Sequence, residues 1–243
     1  MRLGASWARA NGRLERLATS VPIYCRSGSA AWLERLYPHL SIVGLEVTAF
    51  GAQEGKGELL EPLPAMIDGV TITPITTTHP TADLNAINPL KVAQCCCGYL
   101  LELPDCRVAL LWDLDVTNTW LESPAPHQLG AVERLRGVDH IFVDCNTWHN
   151  SSDAHGNPAS HISFTLLKNF ARKLEPRCTW LAHLSGHEDA PGNGFGWLNK
   201  DWQANAQRVW AAENLPGMVR VPQIGECIIL ERSTHETAAL ADS

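Results

Sequence analysis

Three residues in this 243-residue sequence could share a metal ion, and each stands where a strand-like run stops. His79 follows the β-branched run VTITPITTT, Asp113 closes RVALLWD, and His183 follows CTWLA. Neutral imidazole and carboxylate suit zinc, manganese or iron, and one carboxylate can bridge two ions about 3.5–4 Å apart in a hydrolytic site. In layered α/β folds, loops leaving sequence-distant strands meet at the strand ends, so such residues can converge without strain. A plainer reading exists for each: His79 before Pro80 as a turn residue, Asp113 as a cap for the region 118–121, and His183 as a core histidine. Spacing alone leaves both readings open.

The elements that would position these groups follow from periodicity and breakers. Trp7, Ala10, Leu14 and Leu17 fall at helical spacing over 6–19, ahead of a short strand at Ile23-Tyr24-Cys25. Ser29 can cap a helix carrying Trp32, Leu33 and Leu36, which stops before Pro38. Strands are expected at 42–50 and 70–78, separated by a Gly- and Pro-rich loop or hairpin tip at 51–64. The runs 94–103 and 107–113, joined by Pro-Asp-Cys, read as a hairpin. A short helix at 129–136 precedes the strand His140–Asp144, which again ends on an acid. A helix over 160–173 carries Ile162, Leu166, Leu167 and Phe170, with Lys168, Arg172 and Lys173 in its second half, where they suit the helix dipole. The strand 178–182, a Gly-rich loop at 185–198, a helix at 200–213 and a final strand pair at 217–231 complete the pattern. No repeat or linker divides the chain, so a single domain over 1–232 is expected, with a disordered tail over 233–243.

Composition narrows the function classes. Apolar residues make up 45% and charged residues 19%, as in a folded soluble domain. With 26 acidic and 19 basic residues the formal charge is −7, so no whole-chain basic field would hold nucleic acid. The eight cysteines form no C-x-x-C, and three in a row (Cys95, Cys96, Cys97) would alternate strand faces, which fits small apolar residues in a reducing cytoplasm better than a zinc ribbon or disulfide scaffold. No secretory leader or membrane-spanning run is legible, so the expected location is cytoplasmic. Gly192, Gly194 and Gly196 do not form a phosphate loop, because no strand precedes them and no Lys-Ser/Thr follows. Trp197, Trp202 and Trp210 read as core cover.

The ordered segments GVTITPITTTHP, CGYLLELPDCRVALLWDLD, GVDHIFVDCNTWHN, SHISFTLLKNFARKLEPRCTWLAHLSGHED and PGMVRVPQIGECIIL resemble the metallo-β-lactamase superfamily, nearest its phosphodiesterase branch, over roughly residues 1–231. The resemblance implies an αββα sandwich of the α/β (α+β) class and two divalent cations, zinc or manganese, that activate a bridging water. It implies that His79 completes one metal site, that Asp113 is the bridging carboxylate with Asp115 as its rival in register, and that His183 is the last ligand of the second site. His161, in Ser-His-Ile-Ser, falls where this branch has Gly-His, and would contact substrate phosphate or protonate the leaving oxygen. The implied substrate is a small cyclic or diester phosphate.

No H-x-H-x-D-H motif, the superfamily's most diagnostic feature, occurs in the chain, and the expectation is that it lies upstream of Met1. The alternatives are a protein like ribonuclease Z or coenzyme PQQ synthesis protein B, or a metal-free remnant with a binding role whose exposed sheet edge would favour a homodimer. His187 is expected at the rim. His39, His127, His140, His149, His155 and His235 are assigned to the surface or to supporting positions, with Asp144 and His149 the foremost supporters of the site.

Overall fold

The structure is a computed structural model that describes residues 21–26, 30, 33, 45–50, 56–64, 67–79, 96–149, 161–186 and 192–230. The helix expected at 6–19, most of that at 29–36, His39, His155, His187, His235 and the tail lie outside the described residues. Among the described residues, eight strands form two sheets. In the smaller, β1 (Val21–Arg26) runs parallel to β2 (Leu45–Phe50). The larger has the order β3-β4-β5-β6-β7-β8, comprising β3 (Thr71–Thr77), β4 (Cys96–Glu102), β5 (Arg107–Leu111), β6 (His140–Asp144), β7 (Cys178–Ala182) and β8 (Met218–Arg220). Its first three strands are antiparallel and the rest parallel. Arg26 ties the small sheet to the large one by donating from Nη1 to the Cys96 carbonyl at 3.1 Å.

The hairpin read at 94–113 is β4 and β5, paired Glu102 to Arg107 across the turn. Crossover connections carry helices that cover one face of the parallel half, as parallel pairing requires. These are α1 (Leu129–Leu135), α2 (Phe164–Leu174) and α3 (Asn199–Ala212). Helix α2 starts at Phe164 because Ser163, in extended conformation, accepts the Leu166 amide on its hydroxyl. It stops at Glu175, whose left-handed φ of 51° precedes Pro176. Its apolar stripe of Leu167, Phe170 and Leu174 is at most 2% exposed and joins Leu111, Ile141 and Val143 in the core. Burying each such side chain contributes about 1.5–3 kcal/mol. On the opposite face Phe142 stacks on Trp180 with centroids 5.5 Å apart. Trp202 and Trp210 are buried in the core, as read from the sequence.

Three expectations change. The final strand pair at 217–231 reduces to the three residues of β8, because Pro222 has no amide to donate and Gly225 turns the chain at φ 80°. The segment read as a loop at 51–64 is partly an edge partner of β3: Gly57 donates to the Thr76 carbonyl, Leu60 to Pro74 and Leu63 to Ile72. His140 is neither at the surface nor beside the site, being 8% exposed and accepting the Trp180 indole N–H on Nδ1 at 3.2 Å. Among the described residues no helix is long and apolar enough to cross a membrane.

Candidate functional site

Four elements deliver side chains to one end of the large sheet. His79 follows β3, Asp113 lies two residues beyond β5, Asp144 is the last residue of β6, and His183 follows β7. His161 comes from the segment leading into α2, which forms an antiparallel bridge with Asp115. Adjacent parallel strands end at the same edge, so the shared site is a consequence of topology.

The Asp113 carboxylate is the hub of the group. Its Oδ1 lies 3.2 Å from His79 Nε2, 3.5 Å from His183 Nδ1 and 3.7 Å from His161 Nδ1. Asp113, Asp144, His161 and His183 each offer a donor atom within 4.8 Å of the others. His79 stands at one side of that four-residue group, with its Nε2 3.4 Å from His161 Nε2. His79 and His161 are largely covered, whereas Asp113 is half exposed. The structure thus brings together His79, Asp113, His161 and His183, and adds Asp144.

Asp144 is more central than a supporting role implies. It is wholly buried, and its Oδ2 accepts from His161 Nδ1 and from the Leu114 amide, both at 2.9 Å, with His183 Nδ1 3.6 Å away. Its Oδ1 is buried with no hydrogen-bond partner. Burial raises the Asp144 carboxyl, while the bonds from His161 and Leu114 and the charges of His161 and His183 pull it back. The hydrogen bond to Asp144 raises His161 above the usual imidazole range, against burial and with help from the charges of Asp144, Asp113 and Asp115. The signal for Asp144 was present in the sequence, since β6 ends on an acid as the β5 run does.

Asp115, the rival for the bridging position, points elsewhere. It is 3% exposed, and its Oδ1 accepts from Thr117 N at 2.7 Å, Thr117 Oγ1 at 2.6 Å, Thr78 Oγ1 at 3.1 Å and Asn118 Nδ2 at 3.2 Å. His149 is exposed and its backbone is tied to Asn193 and Thr147, so it does not support the site.

Asn146 ties down the described part of the loop carrying His183. Asn146, two beyond Asp144, accepts the amides of Ser185 and Gly186 on its carbonyl, and its Nδ2 donates to the His183 carbonyl. His183 itself has a left-handed φ of 60°, which is costly for a residue with a Cβ and is characteristic of constrained functional sites.

The residues present fit a divalent cation. Nitrogen and carboxylate oxygen are ligands for zinc or manganese. The 3.2 and 3.5 Å contacts of His79 and His183 with Asp113 Oδ1 are long for charge-assisted hydrogen bonds. They match instead the roughly 3.4 Å edge that follows from tetrahedral ligands about 2.1 Å from one ion. The partnerless Asp144 Oδ1 offers a further lone pair in the same group.

No protein-family profile matches the chain, and no curated protein matches it. Solved structures do. The metallo-β-lactamase fold protein YhfI from Bacillus subtilis aligns at 14% identity and TM-score 0.53 over 88% of this chain and 65% of its own. A diphosphatase from the PhnP family aligns at 16% identity and TM-score 0.50, over 93% and 63%. Zn2+-bound PqqB from Methylobacterium extorquens aligns at 14% identity and TM-score 0.55, over 88% and 67%. The chain therefore has the metallo-β-lactamase fold, and spans about two thirds of the length of these structures.

Proposed function

We propose that this cluster is the centre of a metal-dependent hydrolase, a phosphodiesterase that cleaves a small cyclic or diester phosphate. The observation that carries the reading is the approach of the His79 and His183 imidazoles to a single oxygen of Asp113. The fold supports it, and one structure of the same fold is a diphosphatase while another holds zinc. His79, Asp113 and His183 would hold the divalent ions, zinc or manganese, and Asp144 extends the set. A bound ion would supply a Lewis acid and would lower the pKa of a water held on it to about 7.

The remaining chemistry belongs to His161. Its Nδ1 is bonded to Asp144, which fixes the ring. The proton on its other nitrogen, Nε2, is then available to a departing alkoxide, the work of a general acid. A cavity of about 270 Å³ lies on the far side of Asp113 from the histidines, lined also by Arg26, Tyr99 and Trp112 and by none of His79, His161 and His183. The test is hydrolysis of bis(p-nitrophenyl) phosphate with added Zn2+ or Mn2+, comparing wild type with Asp113→Ala. Turnover by the wild type that collapses in the variant is expected; equal rates sink the assignment.

A further inference from the structure

The acid two residues beyond Asp113 has a place in the architecture that its burial alone does not convey. Asp115 contacts both flanks of the cluster. Its backbone N–H donates to the Thr78 carbonyl at 3.2 Å, immediately before His79. Its backbone also bridges to His161 in antiparallel fashion. Its carboxylate takes the Thr78 hydroxyl, and Asn118, held by that carboxylate, clamps the Thr78 peptide from both sides. The Asn118 Nδ2 donates to the Thr78 carbonyl at 2.8 Å, and the Thr78 amide donates to Asn118 Oδ1 at 3.2 Å. A side-chain amide thus makes the two bonds that a neighbouring strand would otherwise make. Leu114, between Asp113 and Asp115, donates its amide to Asp144.

We propose that Asp115 is a positioning residue that sets His79 and His161 in register with Asp113, an inference that rests on reading the cluster as a hydrolytic metal centre. Four donors converge on Oδ1, so the carboxylate acts through the backbone at Thr78 and the Thr117–Asn118 turn. Removing it leaves the Thr78 hydroxyl, the Thr117 amide and the Asn118 side chain without their common acceptor in a buried setting, and the residues on either side of the site lose their tie. Outer residues of this kind cost about 10–100-fold in metal affinity when removed.

The experiment uses the full chain in three forms: wild type, Asp115→Ala and Asp115→Asn. Two readouts are taken, Zn2+ affinity by equilibrium dialysis and the imidazole resonances of His79 and His161 by long-range 1H–15N NMR in metal-free protein. Asp115→Ala is expected to weaken Zn2+ by about 10–100-fold and to move both sets of resonances. Asp115→Asn, which keeps an acceptor oxygen at the same place, is expected to recover most of both effects. If Asn is as damaging to Zn2+ affinity as Ala, Asp115 is itself a ligand and the proposal is overturned. If Ala leaves affinity and resonances as in wild type, the proposal is overturned also. A wild type that binds no Zn2+ refutes the metal-centre reading, and the metal-free resonances still decide whether Asp115 positions the two rings. Should Asp115→Ala not fold, Thr78→Val removes only the hydroxyl link. It is expected to move the His79 signals more than those of His161, and unmoved His79 signals would overturn the proposal.

Discussion

Replacing Gly186 with alanine should damage the site through the backbone alone. Gly186 sits at φ 75°, and its amide donates to the Asn146 carbonyl at 2.6 Å. An added Cβ would lie 1.9 Å from the Phe195 nitrogen and 2.2 Å from the Gly194 carbonyl carbon, both backbone atoms that no rotamer change can clear. Gly192 provides an internal control, since it has φ 76° and, among the described residues, nothing within 4 Å of the added Cβ. Gly192→Ala then costs only the left-handed penalty, about 1–2 kcal/mol. Gly186→Ala costs the same plus overpacking of about 1–3 kcal/mol, for a total of roughly 2–5 kcal/mol. With a urea slope near 3 kcal/mol/M, the overpacking difference separates the two midpoints by about 0.3–1 M. The assay is urea unfolding of the metal-free proteins. Because the loop must move away from Phe195, the Asn146 clasp on residues 183–186 opens and His183 leaves Asp113, so Zn2+ affinity should fall in Gly186→Ala and hold in Gly192→Ala. Coincident midpoints for the two variants would refute the reasoning.

Other consequences can be measured in the same way. His161→Gln should lower turnover of bis(p-nitrophenyl) phosphate by about 10²–10⁴-fold, the usual worth of a general acid; a change below fivefold, roughly a 1 kcal/mol effect, would remove it from that role. Metal-free stability should decline as pH rises above the ordinary imidazole value of about 6.5, because the folded state holds the His161 proton more tightly than the unfolded chain does. That stabilisation is fully present below the unfolded value and lost as pH passes through the raised folded one. The raised Asp144 carboxyl acts with the same sign in a lower window, its contribution present below the ordinary carboxyl value of about 3.9 and lost as pH rises through the raised folded one. Asp144→Asn should flatten the decline above about 6.5 in urea melts by removing the partner of His161; stability increasing through that range would contradict the pairing. Trp202→Ala should cost about 3–5 kcal/mol by urea unfolding, since the ring is 1% exposed and lies 5.4 Å from Trp197 and 5.7 Å from Trp148 between centroids.

Much of the large sheet was legible because its strands are short apolar or β-branched runs bounded by Pro, Gly or charge. Strand ends also revealed His79, Asp113 and His183 as candidates, for a topological reason: β5, β6 and β7 run parallel and finish at one edge. The same rule applies to Asp144, which the sequence pattern alone places no closer than a supporting position. Whether a strand-end acid enters the cluster depends on the face it occupies where pairing stops, and a pattern of residue types does not fix that. Asp113 and Asp115 show the limit more sharply, since positions i and i+2 share a face in a continuing strand. The chain leaves the strand after Leu111, and the turn at Thr117–Asn118 captures Asp115 while Asp113 stays with the histidines. The run through 217–231 misled for a related reason, because apolar residues suggested pairing that Pro222 and Gly225 prevent.

A metal centre around Asp113 at these strand ends can be measured directly. Equilibrium dialysis of the purified full chain against Zn2+ and Mn2+, with wild type beside Asp113→Ala, addresses it without reference to substrate. Saturable binding by the wild type that is lost in Asp113→Ala, with both proteins equally folded by circular dichroism, is the expected result. No saturable uptake by the wild type, or equal uptake by both proteins, would contradict the account.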